Sequence, residues 1–216
     1  MMKLYTGAES GNSWKVRILL EQLEIPYEKV YMDLLTWEHK SKDYIADINP
    51  RGQVPVLVDG THRFWDSTAC MVYLARKMNR TDWLPIEAAA MAEVMHWIAL
   101  AHCEIHFGLQ YGRRGVMRDR WVIGDATNLP QYQRFGKMAM DTMEWRLSQQ
   151  DWLAAPHITI ADIACFPYVL NSPEAGLPHG AYPGISAWLQ RCLAMPRWAE
   201  PPRAPTRDYP DMPAES

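Results

Sequence analysis

Three short clusters in the first third of the chain carry side chains suited to holding charge. Ser10-Gly11-Asn12-Ser13 places hydroxyl and amide donors where a helix can begin. A helix start exposes unpaired N–H groups and about half a positive charge, so donors there stabilise an anion such as a thiolate. Asn49-Pro50-Arg51-Gly52-Gln53-Val54-Pro55-Val56-Leu57 sets a proline at the head of an apolar strand. That proline removes a ladder donor, and a cis Val54–Pro55 bond would turn the Val54 N–H and C=O outward to pair with an extended peptide. Asp66-Ser67 opens a later helix. The Ser67 hydroxyl and the free N–H groups beside it would bind a carboxylate. Asp66 would pair with an ammonium, so the two together suit both charges of an α-amino acid. Taken singly, each cluster is equally served by helix capping or by an ordinary loop-to-strand junction.

The elements that position these clusters are short and alternate in type. Lys3-Leu4-Tyr5 reads as a strand. Lys15 to Glu24 reads as a helix with Val16, Leu19, Leu20 and Leu23 on one face. Tyr27 to Tyr31 alternates as a strand, and Ser41 to Asp47 is a short helix. Val54 to Val58 is an apolar strand, Asp59-Gly60 a hairpin turn, and His62 to Trp65 the returning strand. Ser67 then caps a helix carrying Cys70, Met71, Leu74, Ala75 and Met78. The order is β-α-β-α-β-β-α, a small mixed sheet with helices on its faces.

The pattern changes near residue 80. A polar stretch ending at Pro85 reads as a linker, and no strand pattern follows it. Glu87 to Gly108, Gln131 to Gln149 and Ile185 to Leu193 read as helices. Thr159-Ile160-Ala161-Asp162 resembles a capping box with Asp in place of Glu. The last residues carry Pro201, Pro202, Pro205, Pro210 and Pro213, which exclude a helix. The expected organisation is an α+β domain over 1–80, an all-helical domain over 86–200 and a Pro-rich tail over 201–216.

Composition excludes several classes. With 22 basic against 25 acidic residues the chain has no positive field for nucleic acid. No apolar run approaches the ~20 residues of a membrane helix. The start, MMKLYTGAES, has no apolar signal stretch, so a cytoplasmic protein is expected. Cys70, Cys103, Cys165 and Cys192 form no C-x-x-C pair and sit among apolar residues, so all four read as buried, reduced thiols. His102 and His106 stand at i, i+4, but no third ligand accompanies them, so no metal is expected.

Taken together and in order, SGNSWKVRILLEQLEIPYE, INPRGQVPVLVDG and WDSTACMVYLARK resemble the thioredoxin-like N-terminal domain of cytosolic glutathione S-transferases. ITIADIACFPYVL and YPGISAWLQRCLAMPRW resemble the all-helical domain of that family, so the likeness runs from residue 3 to about 198. The S-G-N segment is similar to bacterial theta-like or phi-like members with a serine at the glutathione site. The resemblance implies a cytoplasmic homodimer acting in detoxification, with glutathione as co-substrate and a hydrophobic electrophile held between the domains. It implies that Ser10 or Asn12 donates to the glutathione sulfur, that Val54 beside cis-Pro55 pairs with the cysteinyl backbone, and that Gln53 and Lys40 contact the glycine end. Asp66 and Ser67 would hold the γ-glutamyl ammonium and carboxylate. Trp14, His102, His106, Tyr111 and Arg114 would line the electrophile pocket, and Thr159 with Asp162 would be structural. A glutathione-dependent disulfide or peroxide reductase, or a non-catalytic protein that binds glutathione or apolar ligands, would use the same fold.

Overall fold

The computed structural model describes residues 1–116 and 126–201. Four strands, β1 (Met2–Gly7), β2 (Tyr27–Met32), β3 (Val56–Asp59) and β4 (His62–Trp65), form one sheet in the order β2-β1-β3-β4. β1 and β2 are parallel, whereas β3 runs antiparallel to both β1 and β4. The crossover between the parallel pair is α1 (Gly11–Gln22). Side chains alternate across the sheet as the pleat requires. Leu4 and Leu57 face the core shared with α1 and α3 (Ser67–Lys77). Tyr5 and Val56 face the opposite side, where Met32 and Tyr44 of α2 (Lys42–Asp47) close a smaller cluster.

At the heads of the two helices that border the sheet's loops, the structure differs from the sequence reading through capping. The first helix begins at Gly11, four residues before the expected Lys15, because the Ser10 side chain accepts from the Ser13 N–H at 3.2 Å. The third helix is capped by Asp66 rather than Ser67. Asp66 holds φ +77° and its carboxylate accepts from the Thr68 N–H at 2.8 Å. Ser67 is thereby the first helical residue, buried, and its hydroxyl has no partner among the described residues. The Val54–Pro55 peptide bond is cis.

Past β4, no strand occurs among the described residues. The expected linker is tied down: Arg76 donates to the carbonyls of Leu84 and Pro85, and the Trp83 carbonyl accepts from the Ile160 N–H. A single rod then runs from Ala88 to Val116. It comprises α4 (Ala88–Leu100), a π-helical stretch (Ala101–Gln110) and α5 (Tyr111–Val116). The sequence suggested one helix ending at Gly108. The rod instead passes that glycine, because Gly108 lies against Gly136 of α6 (Leu129–Leu147), where an added Cβ would meet backbone at 2.1 Å. Only glycine permits two backbones to approach this closely.

The remaining helices are α7 (Ile160–Leu170) and α8 (Pro183–Leu193). One apolar core joins both halves and includes Leu4, Leu57, Ile105, Phe166 and Trp188. No helix among the described residues is long and apolar enough to cross a membrane. All four cysteines are free; Cys70, Cys165 and Cys192 are buried, but Cys103 is exposed, since Ala101 and Ile105 take the inward face of its helix. Apart from Pro201, the expected Pro-rich tail lies outside the described residues.

The Thr159 capping box forms. Asp162 is fully buried and accepts from Leu153 N–H (3.0 Å), Thr159 N–H (2.9 Å), Thr159 O–H (3.3 Å) and Trp188 Nε1–H (3.0 Å). Burial pushes its carboxyl upward, against the pull of these four donors. Asp162→Ala strands several buried donors at once and is expected to destabilise the fold by about 3 kcal/mol or more. In a chain of this size that lowers Tm by roughly 6–12 °C, which thermal melts monitored by circular dichroism will measure.

Candidate functional site

A cleft of about 510 Å³ opens between the sheet domain and the helical rod. Its first wall comes from the end of the loop after β1 and the first turn of α1 (Glu9 to Asn12), from Leu34, His39, Arg51, Gln53 and Val54, and from Asp66 at the head of α3. Its second wall comes from the π stretch and α5, with Tyr168 of α7 between the two. Closeness at this junction has a cause in the sequence. A Cβ on Gly11 would lie 2.7 Å from the Tyr168 ring, so glycine lets the first turn of α1 press against α7.

Ser10, Asn12, Gln53, Val54, Asp66, His102, His106, Tyr111 and Arg114 are brought together around this one cavity. Ser67 is buried directly beside Asp66. Trp14 does not belong with them. It is 3% exposed, packs edge-on against Phe166 at 5.4 Å, and donates its indole N–H to the Ala199 carbonyl at 2.6 Å. Lys40 is also displaced: it is exposed and donates to the Arg51 carbonyl at 3.3 Å, while His39 and Arg51 face the cleft at that end. The 3₁₀ turn Glu38–Lys40 rotates successive side chains by about a third of a turn, which carries Lys40 outward.

Sequence reasoning missed Glu9, His39, Arg51, Phe107, Gln110, Arg113 and Tyr168. Gln110 was within reach, since it extends the His102, His106 spacing by another four residues. The wide i→i+5 turns of a π helix keep residues four apart on one face. Arg113 is ion-paired with Glu174 and lies 4.0 Å from Glu9.

The electrostatics separate the two walls. His102 Nε2 is 2.8 Å from Thr68 Oγ1 and 4.0 Å from Asp66 Oδ1. Burial lowers its pKa, with Asp66 opposing and the charges of Lys15 and Arg51 adding to the fall. His106 is lowered to about 4 by burial and by the nearby positive charges of Lys15 and Arg114, so it is a neutral imidazole at neutral pH. Its ring meets Tyr111 at 5.3 Å, Phe107 stacks on Tyr111 at 5.6 Å, and the Arg114 guanidinium lies over Tyr111 at 5.5 Å. The helical wall is thus aromatic with the Arg114 cation at its edge, while the opposite wall offers hydroxyl, amide and carboxylate groups together with the Arg51 guanidinium. Among the described residues no group of three or more His, Cys, Asp or Glu could hold a metal. Tyr5 stays out of the cleft, edge-on to Tyr44 at 6.0 Å.

Comparison with known proteins agrees with this architecture. Residues 1–76 match the family model described as the N-terminal domain of glutathione S-transferase, and residues 136–196 match the model of its C-terminal domain. A protein of Oryza sativa subsp. japonica, described as a probable glutathione S-transferase, is 30% identical over 215 residues, covering 90% of this chain and 93% of its own. The crystal structure of a possible glutathione S-transferase from Rhodopseudomonas palustris is 29% identical with a TM-score of 0.82, covering 92% of this chain and 97% of that one. A structure of glutathione S-transferase-I bound with lactoylglutathione is 28% identical with a TM-score of 0.78, covering 91% of this chain and 96% of that one. Both domain models matched in sequence order, together with relatives aligned along nine-tenths of the chain, place this protein in the glutathione S-transferase family.

Proposed function

We propose that the cleft binds glutathione along its first wall, ionises the thiol at the head of α1, and presents the thiolate to an electrophile lying on the helical wall. The observation that carries this reading is the Ser10 hydroxyl. Its oxygen already accepts the Ser13 N–H, so the proton of that hydroxyl is what Ser10 offers to the cleft it lines. The relative whose structure contains lactoylglutathione, a glutathione conjugate, supports the choice of ligand.

The tripeptide fits the wall group by group. Asp66 takes the γ-glutamyl ammonium and the Ser67 hydroxyl takes its carboxylate. The Val54 backbone pairs with the cysteinyl unit, and Gln53 takes the glycine end. His39 and Arg51, which face the cleft there, replace Lys40 as partners of the glycine carboxylate.

The magnitudes suffice without a base or a metal. A free thiol has a pKa of roughly 8.5, and lowering it by ~2 units requires ~2.7 kcal/mol of preference for the anion. One charge-assisted hydrogen bond supplies ~1.5–3 kcal/mol, and the helix terminus adds ~0.3–2 kcal/mol. The thiolate sulfur attacks the electrophilic carbon, the S–C bond forms, the leaving group departs with its electron pair, and the thiol proton passes to solvent. The rings of His106, Phe107 and Tyr111 suit a flat, apolar electrophile, and the cationic edge at Arg114 suits charge that builds on it during attack.

Ser10→Ala is expected to raise the pKa of bound glutathione by about 1–2 units and to lower kcat with chlorodinitrobenzene about 10–100-fold at neutral pH, with KM for glutathione little changed. Ultraviolet thiolate absorbance against pH, beside steady-state kinetics, measures both. The reading is overturned if glutathione bound to the unaltered protein is no more acidic than in buffer. Ser67→Ala acts on binding instead: it is expected to weaken glutathione affinity about 10–100-fold through loss of one hydrogen bond to a charged group, leaving the thiol pKa in place. Isothermal titration calorimetry will separate the two effects.

A further inference from the structure

Lys15 is a buried cation that takes no part in the steps above. It stands one turn into α1, 3% exposed. Its Nζ donates to Asn12 Oδ1 at 3.0 Å and lies 4.9 Å from the centre of the Tyr168 ring. No carboxylate among the described residues comes within 4.0 Å of it. The titratable groups that face it are Asp66 at the head of α3, Cys165 and Tyr168 on α7, and His102 and His106 on the π stretch. Asp66, the one carboxylate in that set, is engaged with the Thr68 N–H. Burial drives the ammonium down to about 8, and Cys165 and Asp66 recover only part of the loss.

A charge buried without a counter-ion is costly, and an apolar side chain of similar length would fill this space better. What the position gains shows in Asn12. Its amide oxygen is held by the ammonium, and the flipped amide would set NH₂ against NH₃⁺. The amide nitrogen therefore turns away from Lys15, and Asn12 lines the cleft. The positive field of Lys15 reaches the same cavity, since it depresses both His102 and His106.

We propose that Lys15 is a positioning residue for thiolate formation: from behind the loop it fixes the Asn12 amide as a donor to the glutathione sulfur and supplies the positive charge that balances the thiolate. This rests on the reading above, in which the sulfur lies against residues 10–13. Linkage makes the effect reciprocal. If the ammonium acidifies the thiol, the bound thiolate stabilises the ammonium, so Lys15 keeps its proton to higher pH in the complex than in the free protein.

The test titrates the thiolate absorbance of glutathione bound to the unaltered protein, Lys15→Met, Lys15→Arg and Ser10→Ala. In Lys15→Met the thiolate is expected to appear about one pH unit higher, with kcat at neutral pH falling about tenfold and KM for glutathione changing less than about threefold. Lys15→Arg is expected to recover most of the loss, and Lys15→Met is expected to melt at the same or a higher temperature, as relief of a buried charge requires. Adding Asn12→Ala to Lys15→Met is expected to cost little more than the worse single change. A Lys15→Met protein whose bound thiol is as acidic as the original overturns the proposal, whether or not it melts earlier. If Ser10→Ala moves the thiol and Lys15→Met does not, the role of Lys15 fails alone; if neither moves it, the reading of the cleft fails with it. Should Lys15→Met not fold, an NMR titration of the Lys15 side chain in the unaltered protein decides. Its midpoint must rise by about a unit or more when glutathione is added, and an unchanged midpoint overturns the proposal.

Discussion

The contact between the first turn of α1 and the Tyr168 ring is the constraint from which the rest of the site follows. Gly11 stands where any side chain would collide with that ring. Because the two helices meet so closely, the head of α1 that carries Ser10 and Asn12 sits at the seam of the two domains, and its donors open on a cavity that both domains wall. The same helix carries the seam further down. Trp14 reaches Phe166 and the Ala199 carbonyl, and Lys15 lies over Tyr168. One helix therefore sets the head of the cleft's first wall and joins the two domains, so a shift of α1 relative to α7 would move the donors and the helical wall apart together.

Tyr168 is itself held from a distance. Its helix starts at the Thr159 capping box, where Asp162 gathers the backbone of Leu153 and Thr159 and the indole of Trp188. The Ile160 N–H bonds back to Trp83 in the connection between domains. α7 is thus fixed at its start to α8 and to the connecting segment, and along its length to α1. Asp162 has no place in the cleft, yet the position of the cleft's floor runs through it.

The parts of the site that the sequence made legible were those governed by local chemistry. Ser10 is a helix cap, and caps declare themselves through residue type within three or four positions, although at Asp66-Ser67 residue type alone pointed to the serine where the aspartate does the capping. Val54–Pro55 and the Asp59-Gly60 turn are local in the same sense. What failed was the direction in which a side chain points once a helix is packed. Trp14 lies beside Ser13 in sequence, but the 3.6-residue turn swings it toward Phe166 and away from the cavity. Lys40 and His39 differ by one residue and by one third of a 3₁₀ turn, and His39 is the one that faces the cleft. The π stretch was not legible at all. It occurs in the rod that meets α6 at Gly108 and Gly136, and the partner glycine lies 28 residues away in sequence.

Buried polar groups in this chain divide according to whether the protein alone can satisfy them. Asp162 receives four donors from its surroundings and needs nothing further, which is how a structural carboxylate is built. The Ser67 hydroxyl finds no partner among the described residues, and Lys15 finds an amide and a ring but no carboxylate. An unmet group does not by itself mark a site, since the Trp97 indole N–H also lacks a partner among the described residues and lies away from the cleft. The combination is what discriminates. Ser67 adjoins one end of the cavity wall and Lys15 stands behind the middle of it, and a zwitterionic thiol tripeptide would bring the carboxylate that the first lacks and the anion that the second lacks. Folding alone gives no return for either burial, so on the proposed reading the two deficits are stability given up in the free protein that an anionic, peptide-like guest would restore.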